Sequence, residues 1–300
     1  MAADRASRSR SIFVAAVLCL LALNLVVLAA AYPETTRADS GCCSTKTLAK
    51  DFSAFYTAAW RLLHDPGQVY TTGYLNDGEY HILPQPESYK YLPSFLLMVL
   101  PFSVLPYQQA LTAFDVFQFL LLPLVALLVY EITKEKGIAP TLIVAIIALL
   151  LPSPSPHWSL SAAYYWQWGE GQSKVLETFL LLLSFYLGKT KRPALSGIVL
   201  ALSAFDPRLA LVALPLFVMY NRAGLKSAFG AGAITLLATN AALLIPGTGS
   251  GFLAMLLNSG LTTPPYYYVL IPLLTVVALT IVNIRGVVAA FGKAEHINRT

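Results

Sequence analysis

Apolar residues run along this chain in long blocks separated by short polar clusters. The first block, residues 12–31, follows Arg5, Arg8 and Arg10. Twenty residues at ~1.5 Å each cross a bilayer core, so the block predicts an uncleaved span. The small run Ala29-Ala30-Ala31 leaves a cleavable signal peptide as the alternative. Further blocks lie at 111–130, 138–151, 175–187, 194–220, 228–245 and 266–282. The block 194–220 is broken at Asp206-Pro207-Arg208 and carries basic residues on both flanks. It predicts a hairpin that enters and returns on one side, or a broken helix pair, whose irregular backbone protein or a wet cavity must cover. Residues 92–105 are apolar but short and contain Pro93 and Pro101, which predicts a helix lying at the outer interface. The pattern as a whole predicts an all-α, polytopic membrane protein with about six full spans, a broken hairpin and outer interfacial helices.

Between the first two blocks the periodicity changes. Residues 34–47 are small and polar, hence loop. Over 47–64, Phe52, Phe55, Ala59 and Leu63 recur at spacings of three and four, the signature of an amphipathic helix on a membrane surface. Asp65-Pro66-Gly67 ends it as a turn. Tyr70, Tyr74, Tyr80, Tyr89 and Tyr91 follow, and tyrosines in such a place are ordinarily interface anchors.

Composition narrows the class. Charged residues are 12% of the chain, hydrophobic ones 57%, and the mean hydropathy is +0.64. A soluble domain carries about 25% charged residues, so a soluble globule, a disordered chain and a nucleic-acid binder are excluded. The net charge of +5 is not a nucleic-acid footprint, because its basic residues sit in short clusters between apolar blocks. Those clusters hold 13 of the 20 basic residues, whereas 32–90 holds five, beside seven acids. The bias places the basic loops in the cytoplasm and 32–90 outside. The expected organisation is therefore a cytoplasmic N-terminus and first span over 1–31, an extracytoplasmic segment over 32–107, a transmembrane bundle over 108–286 and a cytoplasmic tail over 287–300. Three cysteines and four histidines show no disulfide framework and no ligand spacing, so neither a metal nor any other cofactor is expected.

Candidate chemistry is sparse. Asp51 opens the outer helix, where an acid suits the helix dipole and a general base would also face the interface. Lys174 and Glu177 are three apart, the spacing of a helix-surface ion pair. Arg208, at the break of the hairpin, calls for a partner: Asp206, or an anionic group that its planar donor fork can grip. Asp115 and Glu177 are intramembrane acids that can bind helices together. Tyr164, Tyr165, Trp166 and Trp168 in 153–172 form an aromatic belt or, with Glu170 and Gln172, a platform for sugar stacking.

Three patterns in this order resemble the GT-C superfamily of membrane glycosyltransferases, and most closely glycosyltransferase family 87. The first is Asp51-Phe52-Ser53-Ala54-Phe55-Tyr56-Thr57-Ala58-Ala59 with Gly67 and Tyr70, similar to an acidic residue on an aromatic-rich helix before a Gly-x-x-Tyr turn. The second is Tyr89-Lys90-Tyr91-Leu92-Pro93-Ser94-Phe95 running to Pro101 and Pro106. The third is Gly171-Gln172, then Ser196-Gly197 and the charged break, where the family's Lys-Pro is replaced by Asp206-Pro207-Arg208. The resemblance spans roughly residues 10–220. It implies a GT-C-like architecture and transfer of a hexose, with mannose the expected sugar, from a polyprenyl-phosphate donor to a lipid or glycan acceptor hydroxyl at the outer face of the plasma membrane. It implies Asp51 as the base and Tyr56, Tyr70, Tyr91, Glu170, Gln172, Lys174 and Arg208 as substrate-binding residues. A transporter built around the broken hairpin, and a non-catalytic assembly partner derived from a glycosyltransferase, are the competing readings.

Overall fold

A computed structural model describes residues 50–71, 89–134, 171–258 and 276–281, with isolated positions between 15 and 22 and between 283 and 288. Among the described residues every regular element is helical and there is no strand. The longer elements are α1 (Lys50–His64), α2 (Pro93–Ser103), α3 (Tyr107–Thr133), α4 (Lys174–Lys189), α5 (Pro193–Ser203), α6 (Pro207–Asn221), α7 (Leu225–Thr239) and α8 (Thr248–Asn258). The expected first span apart from the isolated positions between 15 and 22, the block 138–151, the aromatic loop 153–172 up to Glu170, and most of 266–282 lie outside the described residues.

α1 forms where the sequence periodicity places it, but it is not a surface helix. Residues 52–59 are buried on every side, while Leu63, assigned to the apolar face, is 55% exposed. The reason is side-chain size. Ser53, Ala54, Thr57 and Ala58 fill the nominally polar face and let neighbours close over it. Phe52 packs on Phe114 of α3 and Phe55 meets Phe95 of α2 edge-on. The turn after α1 is a 3-10 turn, Pro66–Gln68, as Asp65-Pro66-Gly67 predicts. Buried Arg61 pins it by donating to the carbonyls of Thr71 (2.5 Å) and Gln68 (3.3 Å). The turn then docks on 246–248: Thr248 Oγ1 donates to Pro66 O (2.5 Å), and Gly247 sits at φ 88°, the left-handed region that glycine tolerates.

α3 and α4 run in the same direction. Gln118 of α3 reaches the residues just before α4, and at the far end Lys189 Nζ donates to Glu131 O (2.9 Å). α5 returns beside α4. Ser184 and Ser196 exchange hydrogen bonds with each other's carbonyls (3.0 and 2.8 Å), which satisfies two buried hydroxyls in apolar surroundings. α6 turns back again, and Asn221 at its end donates to Ser196 Oγ (2.9 Å) near the start of α5. The broken block is thus a hairpin, with both outer ends at one level and its apex at Asp206.

Two stretches, Tyr107–Thr133 and Leu209–Thr239, are long and apolar enough to cross a membrane. The second is not one rod. It folds at Arg222–Gly224, bringing Phe217 of α6 against Phe229 of α7 with rings 5.5 Å apart. α7 then climbs beside α5 to Asn240, whose Oδ1 accepts from the Ser94 N–H (3.0 Å). Gly197 permits this approach, since a Cβ there would run into the Ala228 carbonyl. On α3, Val116, Leu120, Leu124 and Leu127 form an exposed apolar stripe at spacings of three and four, the face a lipid environment covers.

The basic residues Lys134, Lys189, Lys191, Arg192, Arg222 and Lys226 consequently gather at one end of the bundle. Asp51, Tyr91, Lys174 and Asp206 gather at the other, about 23 Å away along α4.

Candidate active site

The site is built at the meeting point of α1, the strip 89–92, the residues before α4 and the apex of the hairpin. Each brings one piece. α1 presents Asp51 in its first turn, partly buried, with the helix dipole favouring the carboxylate. Gln172, 3% exposed, donates its side-chain amide to Asp51 Oδ2. The backbone of Gln172 is held in turn: its carbonyl accepts from Gln118 Nε2 at 2.6 Å. Gly171 at φ 67° supplies the left-handed turn that brings the chain into this position.

Lys174 lies two residues on, buried in the first turn of α4. Its Nζ meets Glu177 Oε2 at 3.0 Å and Asp206 Oδ2 at 3.3 Å, and sits 5.6 Å from the centre of the Tyr91 ring. The i,i+3 pair with Glu177 is the one its spacing predicts. The bond to Asp206 is not: that acid, expected beside Arg208, is held by a lysine 32 residues earlier. The backbone of Arg208 belongs to the first turn of α6, while its side chain lies outside the described residues. Buried charges survive at such depth only when paired, so this cluster fastens the hairpin apex to the start of α4.

Tyr91 is the shared wall. Its ring touches Phe55, Phe95 and Phe205, and its backbone carbonyl accepts from Tyr70 Oη (2.9 Å). Burial pushes its phenol up to about 12, against the pull of Lys174 and with the push of Asp206, Asp51 and Glu177. All four charged groups therefore act on one hydroxyl. Burial likewise raises Tyr70 and, further, Tyr89, whose hydroxyl donates to Leu92 O (2.7 Å).

The candidates named from sequence separate into two groups. Asp51, Gln172, Lys174 and Tyr91 come together. Tyr70 supports Tyr91 from behind and packs between Tyr89 and Phe252, whereas Tyr56 turns to the junction of α2 and α3: its Oη donates to Leu105 O (2.8 Å) and its ring packs on Tyr107. Glu170 lies outside the described residues. Asp115 is buried on α3, one turn before Gln118. Two members went unnamed as site residues: Asp206, read as half of a local pair, and Gln118. The signal for Gln118 was present as a lone amide within an apolar block. Among the described residues, no group of three or more His, Cys, Asp or Glu is placed to hold a metal ion.

The comparison with known families bears directly on this geometry. The model of glycosyltransferase family 87 matches residues 89–269, a stretch that runs from Tyr89 through Gln172, Lys174 and Asp206 to beyond α8. The chain belongs to glycosyltransferase family 87. It is a membrane glycosyltransferase, and its substrates are a sugar donor and a glycan or lipid acceptor. No curated protein and no solved structure matches the chain. In this family-87 protein the matched segment supplies the cation, the amide and the aromatic wall, while α1, just upstream of it, supplies the acid.

Proposed function

We propose that this family-87 protein transfers a hexose, mannose in the first instance, from a polyprenyl-phosphate donor to an acceptor hydroxyl at the outer face of the plasma membrane, with Asp51 as the general base. The observation that carries the reading is that Gln172 holds the Asp51 carboxylate while Lys174, two residues on, sits 5.6 Å from the centre of the Tyr91 ring. An acid and a cation beside an aromatic wall are what transfer from a phosphate leaving group requires. The acceptor oxygen attacks the anomeric carbon as its proton passes to Asp51. The bond from that carbon to the phosphate oxygen breaks, and the polyprenyl phosphate departs with the electron pair. Phosphate is a weak base and leaves without a strong acid, so one carboxylate suffices. Lys174 supplies positive charge to the departing phosphate, and Arg208, at the first turn of α6, is the second cation assigned to that role. A single displacement of this kind inverts the anomeric configuration.

The outward orientation rests on the basic loops, which gather at the end of the bundle opposite the site. With the positive end in the cytoplasm, the site opens outside, where a multi-pass bundle keeps the lipid tail of the donor in the bilayer and an acceptor approaches from water.

The test is transfer of label from radiolabelled polyprenyl-phosphate-mannose to membrane lipids and glycans in proteoliposomes, with glucose, galactose and arabinose donors in parallel and Asp51→Asn as control. Transfer from one of these donors by the wild type but not by the variant is expected. Absence of transfer from every donor sinks the reading in favour of a non-catalytic role.

A further inference from the structure

We propose that Gln118 is a positioning residue for Asp51, acting through the turn that carries Gln172; the inference rests on the transfer reading above. Gln118 is fully buried in α3, about 17 Å along the helix, one turn beyond the buried Asp115 and among otherwise apolar neighbours on that helix. A primary amide in such surroundings is costly to bury unless it is hydrogen-bonded. Its Nε2 donates to the Gln172 carbonyl at 2.6 Å. Gln172 lies in the non-helical stretch between Gly171 and α4, just ahead of the bond from Glu177 N–H to Ser173 O (3.0 Å) that opens the helix. Irregular backbone inside a bundle needs donors from its neighbours, and a structural role for Gln118 would end there.

The second half of the observation points further. The residue whose carbonyl Gln118 grips is the one whose side chain reaches Asp51. Gln172 is thus held at two points, its backbone by α3 and its amide by the carboxylate of α1. α3 thereby sets where the amide stands and, through it, which way Asp51 points. Neither glutamine exchanges a proton, and Gln118 touches no reacting atom. Orientation of a base is worth large factors in rate, since displacements near 1 Å can cost about 10²-fold.

The test is a double-mutant cycle on the full-length protein in proteoliposomes, with radiolabelled polyprenyl-phosphate-mannose as the donor probe. Gln118→Met keeps the volume and removes the donor. It should lower kcat by about tenfold, the weight of one hydrogen bond, while KM for the donor moves less than about twofold. Gln118→His, whose Nε2 reaches about as far, should restore most of the rate. In a Gln172→Ala background, Gln118→Met should lower kcat no further, while its effect on the thermal midpoint stays the same in both backgrounds. An equal fall of kcat in both backgrounds reduces Gln118 to a packing role and overturns the inference. If Gln118→Met does not accumulate, Gln118→Asn, which withdraws the amide by one methylene, carries the same comparison. Asp51→Asn separates the two levels. Absence of transfer by the wild type brings down the transfer reading, wild-type transfer by Asp51→Asn removes Asp51 as the base and this inference with it, and an inactive Asp51→Asn without coupling in the cycle brings down the inference alone.

Discussion

Gln172 donates its side-chain amide to the carboxylate of Asp51, a residue 121 positions earlier in the chain. The bond closes a path from the first described helix to the segment that opens α4. It brings an acid from outside the family-matched stretch against an amide and a cation from within it.

The first expectation concerns that pair. Asp51→Asn keeps the shape of the side chain and removes its basicity, so transfer should fall by about 10²–10⁴. Gln172→Ala removes orientation but leaves the base, and should cost less, about tenfold. Rates within a few-fold of wild type for Asp51→Asn would move the role of base to Glu170.

Lys174 ties Glu177 to Asp206, and its loss leaves two buried carboxylates without it. Lys174→Met should therefore destabilise the protein by about 3–5 kcal/mol. The triple variant Lys174→Met, Glu177→Gln, Asp206→Asn should recover most of the thermal midpoint, because no buried charge of the cluster then remains. If Lys174 also holds the donor phosphate, the recovered protein stays defective in donor binding. Recovery of both stability and binding would reduce the lysine to a structural pair.

Two glycines on facing or neighbouring turns should behave oppositely. A Cβ on Gly197 meets the Ala228 carbonyl, so Gly197→Ala should cost about 1–3 kcal/mol as α5 and α7 are forced apart. Gly230 on α7 has nothing within 4 Å of the added carbon, so Gly230→Ala should stabilise by about 0.5–1 kcal/mol through helix propensity. Thermal unfolding in detergent micelles reads both. Equal shifts for the two substitutions would show that α5 and α7 do not pack this closely.

Tyr70, Tyr89 and Tyr91 carry phenols raised by burial, the last to about 12. Between the ordinary tyrosine value near 10 and those raised values, the unfolded chain loses protons that the folded chain retains. The folded state therefore binds more protons there, and stability falls as pH rises through this window while being fully present below it. Tyr91→Phe should flatten the decline between pH 10 and 12. In the absorbance difference between wild type and Tyr91→Phe, a tyrosinate signal titrating near 10 in the folded protein would contradict the burial of Tyr91.

Orientation can be read chemically. In a variant freed of its native cysteines, Ser44→Cys should react with an impermeant thiol reagent in intact cells and Ile297→Cys should not. Labelling at 297 alone would reverse the bundle.

The sequence by itself determined the all-helical class, the broken block at Asp206-Pro207-Arg208, the turn at Asp65-Pro66-Gly67, and Asp51 and Lys174 as chemistry worth following. These are local properties: hydrophobic block length, proline and glycine placement, and charge set in apolar surroundings are all written in neighbouring residues. Spacing also sufficed for the Lys174–Glu177 pair, because three residues on a helix make neighbours. The tertiary structure alone decided that α1 is buried, since its small residues are core or surface depending on what closes over them. It alone decided that Asp206 answers to Lys174, that 209–239 folds in half, and that Gln118 reaches Gln172. Partners 32, 54 and 121 residues apart leave no periodic trace in the chain. In apolar surroundings a buried polar group must find a partner wherever the packing offers one, and only the packed bundle shows which partner that is.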